Sequence, residues 1–209
     1  MQLYLVRHGE TEYNRHDLFR GRLDIPLNET GRRQAEAAGE HLRTFDIAAF
    51  YSGPLQRAAD TASLIAAPHG AATQVLPLLN DIDYGAWSGK TVDEVRQAYP
   101  DCYELWAHSP AELRFPEGES LREARDRIQE SMEWLWPRHT DEAIVVVGHK
   151  VVNRLVLCVA LGLPLEGIWR LEQSNGAISL IQRDECGYML TKMNDTCHLT
   201  SCASSPGLT

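Results

Sequence analysis

The chain alternates short apolar runs with longer amphipathic stretches. Leu3 to Val6 is a compact apolar run that reads as a buried strand. It stops at Arg7-His8-Gly9, where glycine permits a sharp turn. Pro26 and the polar residues after it mark a helix start, and the helix runs from about Thr30 to Leu42. Ile47 to Ser52 reads as a second strand, broken by Gly53-Pro54 and followed by an Ala-rich helix from Leu55 to Ala67. Gln74 to Leu76 is a short strand, and Asp81 to Gly89 a loop with two glycines and an exposed Trp87. Thr91 to Ala107 is helical with a break near Pro100, and Pro116 to Ser120 is a turn. Leu121, Ala124, Ile128, Met132 and Leu135 then recur every three to four positions, which predicts an amphipathic helix from Ser120 to about Trp136. Ala143 to Val147 is a continuous β-branched run, the pattern of a central buried strand. Gly148-His149 ends it, and Val151 to Leu161 forms the next helix. Ala177 to Gln182 and Tyr188 to Lys192 flank Asp184-Glu185-Cys186-Gly187, a hairpin at a sheet edge.

Strands alternating with helices predict an α/β fold: a three-layer α/β/α sandwich whose central sheet is mainly parallel with an antiparallel edge. At 209 residues a single domain, 1–209, is expected, with a partly mobile tail from about residue 195. The formal net charge of -9 argues against nucleic acid or an anionic membrane surface as partner. The longest apolar stretch, Leu155 to Leu165, falls short of the roughly 20 residues a span needs. No basic leader is seen, and the five scattered cysteines suit reduced thiols, so a cytoplasmic location is expected. Cys197-His198 with Cys202 is a faint metal pattern without a second Cys pair.

In a parallel sheet the strand ends share one edge, where open α/β sheets place ligand sites. The first strand ends at Arg7-His8, the second at Ser52-Gly53-Pro54 with Arg57 just beyond, and the Ala143–Val147 strand at Gly148-His149. The loop after the third segment carries Asp81 and Asp83. Two arginines, two histidines and a carboxylate converging there suit a phosphoryl group. They offer charge stabilisation, a nucleophilic imidazole and an acid for the leaving oxygen.

Leu5-Val6-Arg7-His8-Gly9-Glu10-Thr11-Glu12-Tyr13-Asn14 resembles the opening motif of the histidine phosphatase superfamily, phosphoglycerate mutase-like branch. Further matches are Ser52-Gly53-Pro54-Leu55-Gln56-Arg57-Ala58, Tyr84-Gly85-Ala86-Trp87-Ser88-Gly89-Lys90, Gly118-Glu119-Ser120 and Gly148-His149, so the likeness spans about residues 3 to 194. The resemblance implies that His8 is the nucleophile and that Arg7, Arg57 and His149 hold the phosphoryl oxygens. It implies a phosphate contact from Asn14, a pocket wall at Arg20-Gly21, and no metal or other cofactor. The family's acid, usually glutamate, falls on Asp81, which is one methylene shorter; Asp83 or another glutamate is the substitute. Lys150 stands where many relatives have glycine, and Ser88 where phosphatase relatives often have glutamate.

Within the family the pattern is most similar to metal-independent phosphoserine phosphatases and α-ribazole phosphatase-like enzymes. In the former, a C-terminal histidine and an acid-loop histidine hold substrate; these positions fall on His198 and Tyr84. The implied activity is hydrolysis of a small phosphomonoester, phosphoserine-like in preference, through phosphohistidine: neutral His8 attacks and protonated Asp81 protonates the leaving alkoxide. The alternatives are an α-ribazole phosphate or broad-range organic phosphate phosphatase, a phosphoglycerate mutase, or a regulatory module on an inactive site. A homodimer is expected from the resemblance alone. Elsewhere the ordinary readings hold: Arg32 and Arg33 as solvated helix residues, Trp87 as loop packing, and Trp106, Trp134, Trp136 and Trp169 as core or boundary, with a pocket cap or a dimer contact as the alternative. His16, His41, His69, His108 and His139 read as surface residues.

Overall fold

The structure, a computed structural model, describes residues 1–16 and 18–200. Its sheet has six strands: β1 (Gln2–Arg7), β2 (Ile47–Ser52), β3 (Thr73–Val75), β4 (Ala143–Gly148), β5 (Ile178–Asp184) and β6 (Gly187–Asp195). They lie in the order β3-β2-β4-β1-β5-β6. β4 pairs in parallel with both β1 and β2, and β2 with β3, while β5 and β6 add an antiparallel edge. The helices are α1 (Glu29–Leu42), α2 (Gln56–Ala66), α3 (Val92–Ala98), α4 (Pro100–His108), α5 (Leu121–Leu135) and α6 (Lys150–Leu161).

Alternation along β1 divides the core. Leu3 and Leu5 face one layer with Ile128 and Met132 of α5 and Val152, Leu155 and Val156 of α6. Tyr4 and Val6 face the other, with Ala38 and Leu42 of α1 and Ala58, Ala62 and Ile65 of α2. The period of two in strands and 3.6 in helices thus yields the expected three layers. The boundaries fall within two residues of the pattern except at the end of β6, which runs three residues past Lys192 to Asp195, and the helix break lies at Pro100, which opens α4.

Two expectations need correction. Trp87 is fully buried, because Phe19, Tyr99, Trp106 and Phe115 converge on it from outside its own loop. His139 is buried too: it bonds the Tyr51 hydroxyl at 2.8 Å through Nε2 and Glu142 at 2.6 Å through Nδ1. Cys202 and the tail beyond residue 200 lie outside the described residues; Cys102, Cys158, Cys186 and Cys197 are free thiols. Among the described residues no helix is long and apolar enough to cross a membrane.

The turn after His8 is held against α1. Asn28 caps that helix, its Oδ1 accepting from Gly31 N at 2.8 Å, and its own N–H donates to the Glu10 carbonyl at 3.0 Å. A Cβ on Gly31 would lie 2.0 Å from the Glu10 carbonyl oxygen, and one on Gly9 would lie 2.2 Å from that of Gly31. Two backbones touch here without side chains between them. Alanine in place of a helical glycine ordinarily stabilises by about 1 kcal/mol. Gly31→Ala is expected to do the opposite, lowering stability by about 1–3 kcal/mol through backbone displacement. Thermal melts of the two proteins measure this; an unchanged or raised Tm would contradict the close packing.

Candidate active site

The sheet order explains how distant motifs meet. β4 lies between β1 and β2, and the registers Arg7↔Gly148 and Ser52↔Val147 bring their ends level. His8, His149 and the turn into α2 therefore emerge side by side. The His8 and His149 ring centroids are 5.2 Å apart. Arg57, on the first turn of α2, donates through Nη2 to Asp81 Oδ2 at 2.8 Å, and His149 Nδ1 is 3.6 Å from the same oxygen. Of the expected set, Arg7, His8, Arg57, Asp81, Arg20, Gly21 and Tyr84 line one cavity of about 240 Å³. His149 is buried behind its floor. A larger hollow of about 810 Å³ lies around Met1, Asp46 and Asp141, far along the strands from both histidines.

The buried guanidiniums are held mainly by main-chain carbonyls. Arg7 Nη1 donates to Gln173 O at 2.7 Å. Arg57 donates to Leu23 O and Gly21 O, each at 2.7 Å. Burial and the nearby charge of Arg20 lower the Arg7 guanidinium to about 9, still charged at neutral pH. Arg7 Nε and both ring nitrogens of His149 are buried without a hydrogen-bond partner. Unpaired buried donors are costly, about 1–3 kcal/mol each. Their concentration on one floor marks where an anion's oxygens fit.

His8 is poised as a neutral base. Its Nδ1 is 2.7 Å from the Gly9 carbonyl, which can only accept, so Nδ1 carries the proton and Nε2 the lone pair. Burial, His149, Arg57 and Arg7 together push its pKa well below 6.5. His149 is likewise depressed, by burial and then by Arg57, Arg127 and Arg7. Asp81 Oδ1 accepts from Ile82 N at 2.9 Å, which leaves Oδ2 toward Arg57. The acid's loop is tied from below: Arg127 donates to Leu78 O at 2.6 Å and Asn80 O at 2.7 Å, and is paired with Glu119 at 2.9 Å. Asp83 is engaged elsewhere, with Arg22 at 3.0 Å and Gly85 N at 3.1 Å.

Two expected contacts do not reach the cavity lining. Asn14 Oδ1 accepts from Thr11 N at 2.9 Å and so closes its own turn. His198 Nε2 lies 3.0 Å from the Gly176 carbonyl, and its ring stacks on His41 at 5.3 Å. Its anchor is thus the α1 side of the turn and not the cavity. Trp106 and Trp169, read from the sequence as core or boundary with a pocket cap as the alternative, line the cavity, and so does Arg154, which had no assigned role. Arg154 was findable, since it sits one helical turn beyond Lys150, four residues on. Trp169 Nε1 donates to the Trp106 carbonyl across 63 residues, at 2.8 Å, which joins the two tryptophans.

Known proteins share this fold. The chain is 35% identical over 199 residues to phosphoserine phosphatase 1 of Hydrogenobacter thermophilus, covering 95% of this chain and 94% of that one. Its structure superposes on YhfR of Bacillus stearothermophilus with a TM-score of 0.87, at 29% identity over 95% of this chain and 98% of that one. It superposes on the α-ribazole phosphatase of Shigella flexneri with a TM-score of 0.84, at 26% identity over 93% and 96%. The family model for the histidine phosphatase superfamily, branch 1, matches residues 3 to 196. With its paired imidazoles, its carbonyl-held arginines and that match over nearly the whole length, the chain belongs to the histidine phosphatase superfamily.

Proposed function

We propose that the chain hydrolyses a small phosphomonoester without a metal ion, through a phosphohistidine on His8. The observation that carries this reading is the fixed neutral tautomer of His8, set among Arg7, Arg57 and the unpartnered His149. The phosphoryl oxygens take the floor donors. Nε2 attacks phosphorus as the bond to the alcohol oxygen breaks, and Asp81 gives that oxygen its proton. Water then attacks phosphorus, Asp81 takes its proton, and the P–N electrons return to Nε2. Transition-state charge falls on guanidiniums already in place, the kind of preorganisation that dominates phosphoryl transfer. The four free cysteines among the described residues suit a reducing, cytoplasmic setting.

Three outcomes follow. His8→Ala abolishes turnover, while millimolar EDTA leaves the parent rate unchanged; EDTA-sensitive activity surviving in His8→Ala would sink the mechanism. Asp81→Asn slows hydrolysis of an alkyl phosphate by about 10²–10⁴-fold. It slows phosphoenzyme formation from p-nitrophenyl phosphate far less, since that leaving group needs no proton; equal losses in stopped-flow phosphorylation would remove Asp81 as the acid.

The third concerns pH. The folded pKa values of His8 and His149 lie below the ordinary 6.5, so the unfolded chain binds more protons between the two values. Stability is therefore complete above pH 6.5 and falls as pH drops toward the folded values, by about 1.4 kcal/mol per pH unit per imidazole. In the same window His8 stays neutral, and kcat/KM is not expected to halve at pH 6.5. Denaturant titrations and rate profiles from pH 5 to 8 check both; an acid limb centred at 6.5 would mean an ordinary, exposed imidazole.

A further inference from the structure

His8 presents a lone pair at Nε2 only while Nδ1 keeps the proton, and that rests on the Gly9 carbonyl, 2.7 Å away. Glycine has the widest backbone freedom of any residue, so the carbonyl needs other groups to aim it. The contact with Gly31 sets how near Gly9 lies to α1. Hydrogen bonds set its orientation. Gly9 stands between two peptide planes, and each plane is held at both ends. In the plane before it, the His8 carbonyl accepts from Asn175 Nδ2 at 3.0 Å, and the Gly9 N–H donates to Thr61 Oγ1 at 3.0 Å. In the plane after it, the Gly9 carbonyl meets His8 Nδ1, and the Glu10 N–H donates to Gln34 Oε1 at 2.9 Å.

Neither Gln34 nor Thr61 lines the cavity. Gln34 is half-buried on α1. The Glu10 N–H and the Gly9 carbonyl belong to one amide, so donation to Gln34 polarises that amide and strengthens its oxygen as an acceptor for Nδ1–H. Thr61 is fully buried on α2, where its hydroxyl also donates to the Arg57 carbonyl at 2.7 Å. One hydroxyl thus joins the nucleophile's turn to the helix that carries Arg57. We propose that Gln34 and Thr61 are positioning residues for the nucleophile: they aim the Gly9 carbonyl, which keeps the proton on His8 Nδ1 and leaves Nε2 free to attack. Without them the carbonyl turns from the ring and the Nε2–H tautomer is populated, a form with no lone pair on the attacking atom. Attack on phosphorus is then lost, whereas binding is kept, because the Arg57 guanidinium retains its own partners at Leu23 and Gly21. The proposal rests on the phosphohistidine reading.

Thr61 is enclosed and its replacement puts the fold at risk, so Gln34 carries the test. Gln34→Met keeps an unbranched stem and removes the acceptor. On p-nitrophenyl phosphate at pH 7.5 it should lower kcat about tenfold, the worth of one buried hydrogen bond. KM and the inhibition constant of inorganic phosphate should stay within about twofold. Thr61→Val should lose kcat in the same way, and Thr61→Ser, which keeps the hydroxyl, should recover most of it. Imidazole nitrogen NMR reads the tautomer directly, with the His8 signals assigned by their loss in His8→Ala. The parent should show a single Nδ1–H form and Gln34→Met a mixture of both. An unchanged kcat in Gln34→Met, a loss shared by phosphate binding, a Thr61→Ser no faster than Thr61→Val, or a single Nδ1–H form in Gln34→Met would overturn the proposal. If the parent hydrolyses no phosphomonoester, or His8→Ala keeps the parent rate, the phosphohistidine reading falls, and the tautomer in Gln34→Met still decides what Gln34 holds in place.

Discussion

Everything at this sheet edge depends on burying positive charge without cancelling it. A guanidinium has five donors, and a buried one left unpaired costs several kcal/mol. Carboxylates would satisfy the donors and neutralise the charge together. Carbonyl oxygens satisfy them and leave the formal charge in place. Arg7 uses this second solution through Gln173, whereas Arg57, Arg127 and Arg154 combine carbonyls of Leu23, Gly21, Leu78, Asn80 and Leu171 with one carboxylate each, Asp81, Glu119 and Glu172. The loops that supply those carbonyls must therefore adopt one conformation each. Loop order and site charge become a single requirement.

The same cations set the state of the histidines. His8 and His149 sit between them in a buried setting, which holds both rings neutral. A neutral ring is the nucleophilic form, so the groups that bind an anion also keep its attacker ready. β4 makes this possible by its central place, because strands on either side of it deliver Arg7 with His8 and the turn to Arg57. No long-range conformational change is needed to assemble the set.

Much of this was legible along the chain. β2 follows its apolar run residue for residue, and the five reactive side chains all follow breaks in apolar runs, where strand ends are expected. What could not be read depends on contacts between segments far apart in sequence. Trp87 looked exposed because its loop is rich in glycine, yet four aromatic rings reach it from elsewhere. His139 carried no local signal for Tyr51, 88 residues away. Asn14 and His198 hold the polar contacts nearest to them, a choice that composition does not disclose. Lys150 and Arg154 lay within reach of helical spacing, but only the position of the cavity says which face of α6 matters.

Asp81 and His8 are fastened by separate sets of bonds. His8 is tied to Gly9 and backed by α1, whereas Asp81 rides on a loop carried by Arg127, Arg22 and Glu119. The two halves of the chemistry are thus independent inheritable modules. A lineage can shorten, lengthen or reposition the proton donor by altering that loop, while the phosphoryl seat stays untouched. An aspartate at position 81, where the resemblance leads one to expect a glutamate, is the kind of variation such a division of labour permits.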